Sequence, residues 1–289
     1  MVGRRRALEL PTRRRPARVS LSSPVPTLLG LVWMVVVLYP IFYLFTSSLR
    51  TQGDFLSGAP WGLPTSPTLA NYQAVLDHDF GLYLANTAVV TALSVALMVG
   101  VALLAAYAVV RIRGRLTRFL LFLFVFGLAI PLQATIIPVY LIITGLRLYD
   151  TLWGLVLPIA AFNIPLTFLI LVNFIRDIPV QLYESMLLDG AGHLRVLWHL
   201  VLPLGRPALI TVSMYQTILA WNGFLFPLIL TQSPEVRVLP LALWTFRGQY
   251  TTDVPAVLAA VFLSAVPMIV LYIIGRRQLL AGLIAGFSR

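Results

Sequence analysis

The stretch Glu184 to Pro203, ESMLLDGAGHLRVLWHLVLP, decides how this chain is read. It is polar and charged at its start and lies between two long apolar blocks. Leu182 to Leu188 consists mostly of good helix formers. Asp189-Gly190 then breaks the run, with Gly190 supplying a positive φ or a close approach where the chain must bend. His193 to Leu202 reads as a second helix, and Pro203 marks the entry to the next apolar block. A short helix–turn–helix of this kind is too charged to sit in lipid. It is a surface suited to being gripped by another protein.

The rest of the chain says what the hairpin is attached to. Of 289 residues, 59% are hydrophobic and only 11% charged, with a mean hydropathy of +0.90. Soluble domains carry about 25% charged residues, so this is the composition of a polytopic membrane protein. With no Cys, disulfide scaffolds, thiolate metal sites and thiol catalysis are excluded. A net charge of +11 would suggest a nucleic-acid partner in a soluble protein. Here its distribution along the chain gives a different account.

Six segments are long enough to span a bilayer, which takes roughly 20 apolar residues. They lie at about Thr27 to Leu49, Tyr83 to Val110, Phe119 to Leu146 and Leu152 to Ile175, then within Pro207 to Leu230 and Pro255 to Gly275. Several contain proline (Pro131, Pro138, Pro158, Pro165, Pro227, Pro267). Such breaks are tolerated in lipid where neighbouring helices or a water-filled path satisfy the freed carbonyls, which favours a conduit-forming bundle over simple anchors.

Arginine placement orients the spans. Counting the N-terminal arm (Arg4, Arg5, Arg6, Arg13, Arg14, Arg15, Arg18), Arg111, Arg113, Arg115, Arg118, Arg176, Arg195, Arg206, Arg276, Arg277 and Arg289, seventeen arginines fall in one set of segments. Only four, Arg50, Arg147, Arg237 and Arg247, fall in the alternate loops. The positive-inside rule therefore puts both termini and the Glu184 segment in the cytoplasm. Residues 1–25 read as a cytoplasmic Arg-rich tail that orients the chain. They do not read as a cleavable signal peptide, because the following apolar run is too long. Residues 26–289 read as the membrane domain, with 179–206 as its cytoplasmic segment.

At the hairpin the chain resembles the permease subunits of binding-protein-dependent ATP-binding cassette importers. Their cytoplasmic pattern is Glu-Ala-Ala, three residues, Gly, nine residues, an aliphatic, any residue, Leu-Pro. Glu184, Gly190, Leu200 and Leu202-Pro203 match it, and Asp189-Gly190-Ala191 is similar to the carbohydrate-type, maltose-permease-like branch. Ser185 and Met186 stand where two alanines are usual. Pro131-Leu132-Gln133, Ile137-Pro138, Asp150 to Leu155 and Trp221 to Leu228 resemble further family signatures, with Gly223 where Glu is usual. Arg237 to Pro240 with Phe246 to Tyr250 is similar to the loop offered to a solute-binding protein.

The resemblance implies an all-α fold of six transmembrane helices with a cytoplasmic coupling helix–turn–helix, in a prokaryotic inner or plasma membrane. It implies a heterodimer with a second homologous permease, two ATPase subunits, an extracytoplasmic solute-binding protein and a sugar substrate, with membrane lipid around it and no nucleic acid. No G-x-x-x-x-G-K-[ST] phosphate loop occurs, so ATP and magnesium are expected on the partner ATPase chains and no cofactor on this one. The ATPase-coupling residues would be Glu184, Ser185, Met186, Asp189, Gly190, Ala191, Leu202 and Pro203. The bland alternative is an ordinary amphipathic loop between spans.

Polar residues inside apolar spans tend to face the bundle interior. Asn86, Gln133, Asn163, Asn173, Gln216 and Asn222 qualify, with the aromatic Tyr215, Trp221 and Phe226 near two of them. Gln133, Asn222, Trp221, Asn86 and Asn163 are the candidates for the translocation path; an interhelical hydrogen bond or core packing is the competing role for each. His193 and His199 are six residues apart, off a common helical face, and neither a metal motif nor a nucleophile elbow is present. Two other functions stay open at this point. One is the same machinery for a glycerol phosphate or polyol; the other is a polytopic membrane enzyme or an assembly scaffold.

Overall fold

The computed structural model describes residues 24–59, 61–112, 114–243 and 252–287. The N-terminal arginine arm, Arg113, Phe246 to Tyr250 and Arg289 lie outside them. Two compact units are distinguished, one ending at Tyr43 and one from Leu44 onward. The first holds most of α1 (Pro24–Ser48), an apolar helix with Pro40 inside it.

In the second unit, α2 (Gln52–Ser57) and α3 (Ala70–Asp77) precede the long α4 (Phe80–Arg111). α5 (Arg115–Gly127) and α6 (Ile136–Gly145) follow, then α7 (Leu152–Asp177) and α8 (Val180–Leu188). α9 (His193–Val196) leads through a π-helical turn at Leu197–Val201 into α10 (Leu202–Trp221). Last come α11 (Leu225–Leu230), α12 (Leu239–Ala242) and α13 (Val254–Phe287).

Among the described residues five helices have the length and hydropathy to cross a membrane, and the bent pair α5–α6, counted as one span, makes six. This third span is not the single helix expected over Phe119 to Leu146. It is bent by 104° at the Leu128–Pro131 break, where Pro131 precedes a 3-10 turn at Leu132–Thr135. At the break, Gly127 lets α5 come within van der Waals range of Pro165 on α7; a Cβ there would sit 3.1 Å from the proline ring.

The fifth span also departs from expectation. The second arm of the hairpin does not end at Leu202. α9, the π turn and α10 form one continuous helix from His193 to Trp221. Proline inside a helix removes one hydrogen bond and clashes with the carbonyl four residues back. The wider π turn, where Leu202 N–H reaches back to Leu197 O, lies directly before Pro203 and absorbs that mismatch. The helix stops only at Asn222–Phe224, ahead of α11.

The core is built on α4 against α7, with α10 packed on both and α13 on α10 and α3. Small residues let the backbones approach: Ser94, Ala102 and Ala106 on α4 and Ala160 on α7 are wholly buried. In lipid, where apolar burial gives little net drive, such close van der Waals packing holds helices together. Gln216 of α10, wholly buried, donates to Thr167 Oγ1 of α7 at 2.7 Å.

Candidate functional site: the Gly190 hairpin and the Gly223 cleft

The hairpin begins where α7 ends at Asp177, turns at Ile178-Pro179 and runs on as α8. α8 closes in a full Schellman motif. Ala191 N–H donates to Met186 O and Gly190 N–H to Leu187 O, both at 3.0 Å, with Gly190 at φ +76°. No neighbouring atom would meet a Cβ at Gly190, so the glycine is required by backbone conformation alone. The apolar contact typical of the motif is also present, since Ala191 is buried and Met186 packs against the same core cluster. The sequence pattern Met186…Gly190-Ala191 is thus accounted for residue by residue.

Glu184, Ser185 and Asp189 lie exposed on α8 and its cap, Leu202 is half-buried and Pro203 exposed. Large apolar side chains are exposed around the bend: Leu188 is 88% accessible, Leu194 71% and Leu187 51%. Tyr183 is the one buried residue of α8.

One face of α8, carrying Val180, Tyr183, Glu184 and Leu187, borders a cleft of about 230 Å³ whose other wall includes Tyr107, Arg111 and His193. The Arg111 guanidinium carbon sits 3.2 Å from the centre of the Tyr183 ring. Its Nη2 donates to Ile175 O and Ile178 O, both at 3.2 Å. Tyr107 OH lies 3.2 Å from His193 Nδ1, whose tautomer decides which of the two donates. Burial raises the Tyr183 phenol above its ordinary pKa, with Arg111 opposing through its nearby donors and then its charge, so the hydroxyl stays protonated at neutral pH. That hydroxyl and Arg111 Nε are buried without a hydrogen-bond partner among the described residues. His199 bonds to Arg195 O of its own helix, apart from His193, and no three His, Asp or Glu among the described residues group as metal ligands.

A second cleft, of about 240 Å³, opens where α10 breaks before α11, lined among others by Leu132, Phe162, Asn163, Gly223 and Phe224. Of the path candidates, Asn163 lines it directly, its Nδ2 also donating to Ile159 O at 2.8 Å. Gln133 and Asn222 are exposed and each adjoins a lining residue, Leu132 and Gly223. Trp221 and Asn86 are not among those lining it. The Trp221 indole is buried and donates to Ser264 O of α13 at 3.2 Å. Asn86 Nδ2 donates to Glu235 O and Arg237 O at 2.8 and 2.9 Å, and Thr87 Oγ1 accepts from Leu239 N–H, so α4 pins the 235–239 segment.

At that same end of α4 the Asp150 to Leu155 motif acts as a fastening. Asp150 accepts from Gln232 N–H, Ser233 N–H and the Ser233 hydroxyl, the last at 2.6 Å, while its own N–H donates to Leu230 O. Thr151 caps α7 by accepting from Gly154 N–H, and Gly154 is there because a Cβ would lie 2.2 Å from Leu148 O. Burial alone would raise the Asp150 pKa, but these hydrogen bonds outweigh it and hold the carboxyl below its ordinary value.

Sequence reasoning missed Tyr107, Arg111 and Tyr183. Arg111 counted only as a topogenic charge, and no local pattern links positions so far apart.

The family described as binding-protein-dependent transport system inner membrane component matches residues 98–278. The protein named ABC transporter permease ORF2 of Caldicellulosiruptor sp. (strain Rt8B.4) is 38% identical, covering 88% of this chain and 93% of that protein. The sulfoquinovosyl glycerol transport system permease protein SmoH of Agrobacterium fabrum is 30% identical, covering 92% and 93%. Among solved structures, a bacterial ABC transporter involved in the import of the acidic polysaccharide alginate superposes with a TM-score of 0.77. It is 27% identical and covers 88% of this chain and 94% of its own.

Proposed function

This chain belongs to the family of binding-protein-dependent transport system inner membrane components, and we propose that it is the permease subunit of an ATP-driven importer for a sugar or oligosaccharide. The saccharide cargoes in the names of its relatives support the substrate class. The observation that carries the mechanism is the hairpin. Its Schellman turn fixes the angle between two helices while Leu187, Leu188 and Leu194 stand exposed at the bend. An apolar tip flanked by Glu184 and Asp189 fits a cleft in a separate ATPase subunit, where ATP and magnesium would be bound.

The second arm of the hairpin is also the start of a transmembrane helix. Its 29 residues from His193 to Trp221 extend roughly 43 Å and end beside the Gly223 cleft. A displacement of the hairpin therefore tilts a stiff rod whose far end borders the path candidates Asn163, Asn222 and Gln133. Phe162 and Phe224 offer faces on which sugar rings pack, and Asn163 a hydrogen-bonding group. Closure of the ATPase subunits would bias this rocking between inward- and outward-facing states. The complex would hold a second homologous permease, two ATPase subunits and an extracytoplasmic binding protein, in a prokaryotic inner membrane with both termini cytoplasmic.

The test is co-expression with candidate ATPase, permease and binding-protein partners, followed by purification and reconstitution. Co-purification of the ATPase, with hydrolysis stimulated by the sugar-loaded binding protein, is expected. Solute uptake by this chain with no ATPase present would refute the proposal. Stimulation by a glycerol phosphate or polyol in place of sugars would keep the machine and replace the substrate class.

A further inference from the structure

On the premise that α8 seats in an ATPase subunit, we propose that α4 is the element that receives its movement. Arg111 and Tyr107 would then be the positioning residues that clasp the hairpin to the bundle. Among the described residues α8 packs on the bundle through Tyr183 and Met186 rather than along an extended helix pairing. A cleft of about 230 Å³ lies between it and the end of α4. Movement of α8 must then leave it through its root, its turn and the few side chains that bridge the gap.

Those side chains converge on the last turn and a half of α4. Tyr107 and Arg111 are spaced i, i+4, so they share one face of the helix. Arg111 stacks on Tyr183, the buried residue of the first arm, and holds the carbonyls of Ile175 and Ile178 at its root. Tyr107 meets His193, the first residue of the second arm, with its ring 6.1 Å away edge-on. Two neighbouring residues thus touch both arms and the root. A planar guanidinium can lay its face on the Tyr183 ring while the two N–H bonds of Nη2 reach both carbonyls, whereas a compact ammonium has no face to stack. Because α4 is paired along α7 and also packs on α10, a tilt imposed at Arg111 reaches two of the helices that line the Gly223 cleft. A purely static fastening would have no need to join all three parts of the hairpin to one helix.

The assay uses the complete complex of this chain with its ATPase, permease and binding-protein partners in proteoliposomes, and reads solute taken up per ATP hydrolysed. With Arg111→Met or Tyr183→Leu, hydrolysis persists and uptake per ATP falls about tenfold or more, the size of effect expected from losing one desolvated cation–π pair with its hydrogen bonds. Arg111→Lys falls between. Tyr183→Phe keeps the ring face on which Arg111 stacks, so it retains the wild-type ratio. A merely structural role would lower the yield of complex and leave the ratio unchanged. If Arg111→Met does not assemble, the Tyr183 pair carries the comparison. A wild-type ratio in Arg111→Met or Tyr183→Leu overturns the clasp, as does Tyr183→Phe damaging the ratio as much as Tyr183→Leu. If the unaltered chain never co-purifies with an ATPase, the docking premise fails instead.

Discussion

Substitution of Gly190 isolates the backbone geometry of the hairpin from every other contact. Its φ is +76°, and no atom lies within 4 Å of a would-be Cβ. Alanine therefore meets no steric obstacle, and its cost is the left-handed conformation alone, about 1 kcal/mol or roughly a fivefold shift away from the closed turn. Asparagine, which tolerates that conformation, should cost less. Proline is different in kind. Its ring fixes φ at about −65°, so the backbone cannot take the native angle at all. It also deletes the N–H that donates to Leu187 O at 3.0 Å. The bond from Ala191 to Met186 then loses its geometry, and each lost bond is worth about 1 kcal/mol. The assay is binding-protein-stimulated ATP hydrolysis by the reconstituted complex, normalised to chain inserted in the membrane. Stimulation should fall in the order Gly, Asn, Ala, Pro, with Gly190→Pro at the unstimulated rate and insertion unchanged. Wild-type stimulation in the proline variant would show that the Gly190 turn plays no part in docking.

Three further outcomes are expected from the rest of the structure. Gly154→Ala forces a Cβ to within 2.2 Å of Leu148 O. It should destabilise the α6–α7 turn by about 2 kcal/mol or more, read as a lower melting temperature in detergent. The Asp150 fastening should depend on pH with a definite sign. Its folded pKa is depressed, so its stabilisation is present above the ordinary carboxylate range and is lost as pH falls through the lower folded value. Melting temperature should therefore fall more steeply below about pH 4 in wild type than in Asp150→Asn, which has already lost the charge. Asn163→Leu removes a polar group from the Gly223 cleft. It should raise the solute concentration for half-maximal uptake several-fold, by about 1 kcal/mol or more, while leaving ATPase binding intact.

What could be read from the sequence was what is local. Span positions come from hydropathy, and the need for a positive φ at Gly190 comes from one glycine closing a run of helix formers. Proline gave a half-true signal. Pro131 does mark the break that bends the third span by 104°. Pro203 suggested an end to the second arm, yet the π turn before it carries the helix through to Trp221. Asp150 to Leu155 stood out as a motif, but only the three-dimensional contacts reveal a carboxylate fastening two loops and a glycine excluded from bearing a side chain. The stacking of Arg111 on Tyr183 had no sequence signature, because it joins two helices through a fold that no local pattern encodes.

At the centre of the proposed mechanism, the Leu188 tip lies in the cytoplasm under an ATPase subunit. The chain contains no cysteine, so Leu188→Cys provides a unique label site at a position 88% exposed. A membrane-impermeant maleimide should label it in inside-out vesicles stripped of ATPase, fail to label it in intact cells, and be blocked when the ATPase subunits are added back. Labelling in intact cells, or unchanged labelling with the ATPase bound, would contradict that placement.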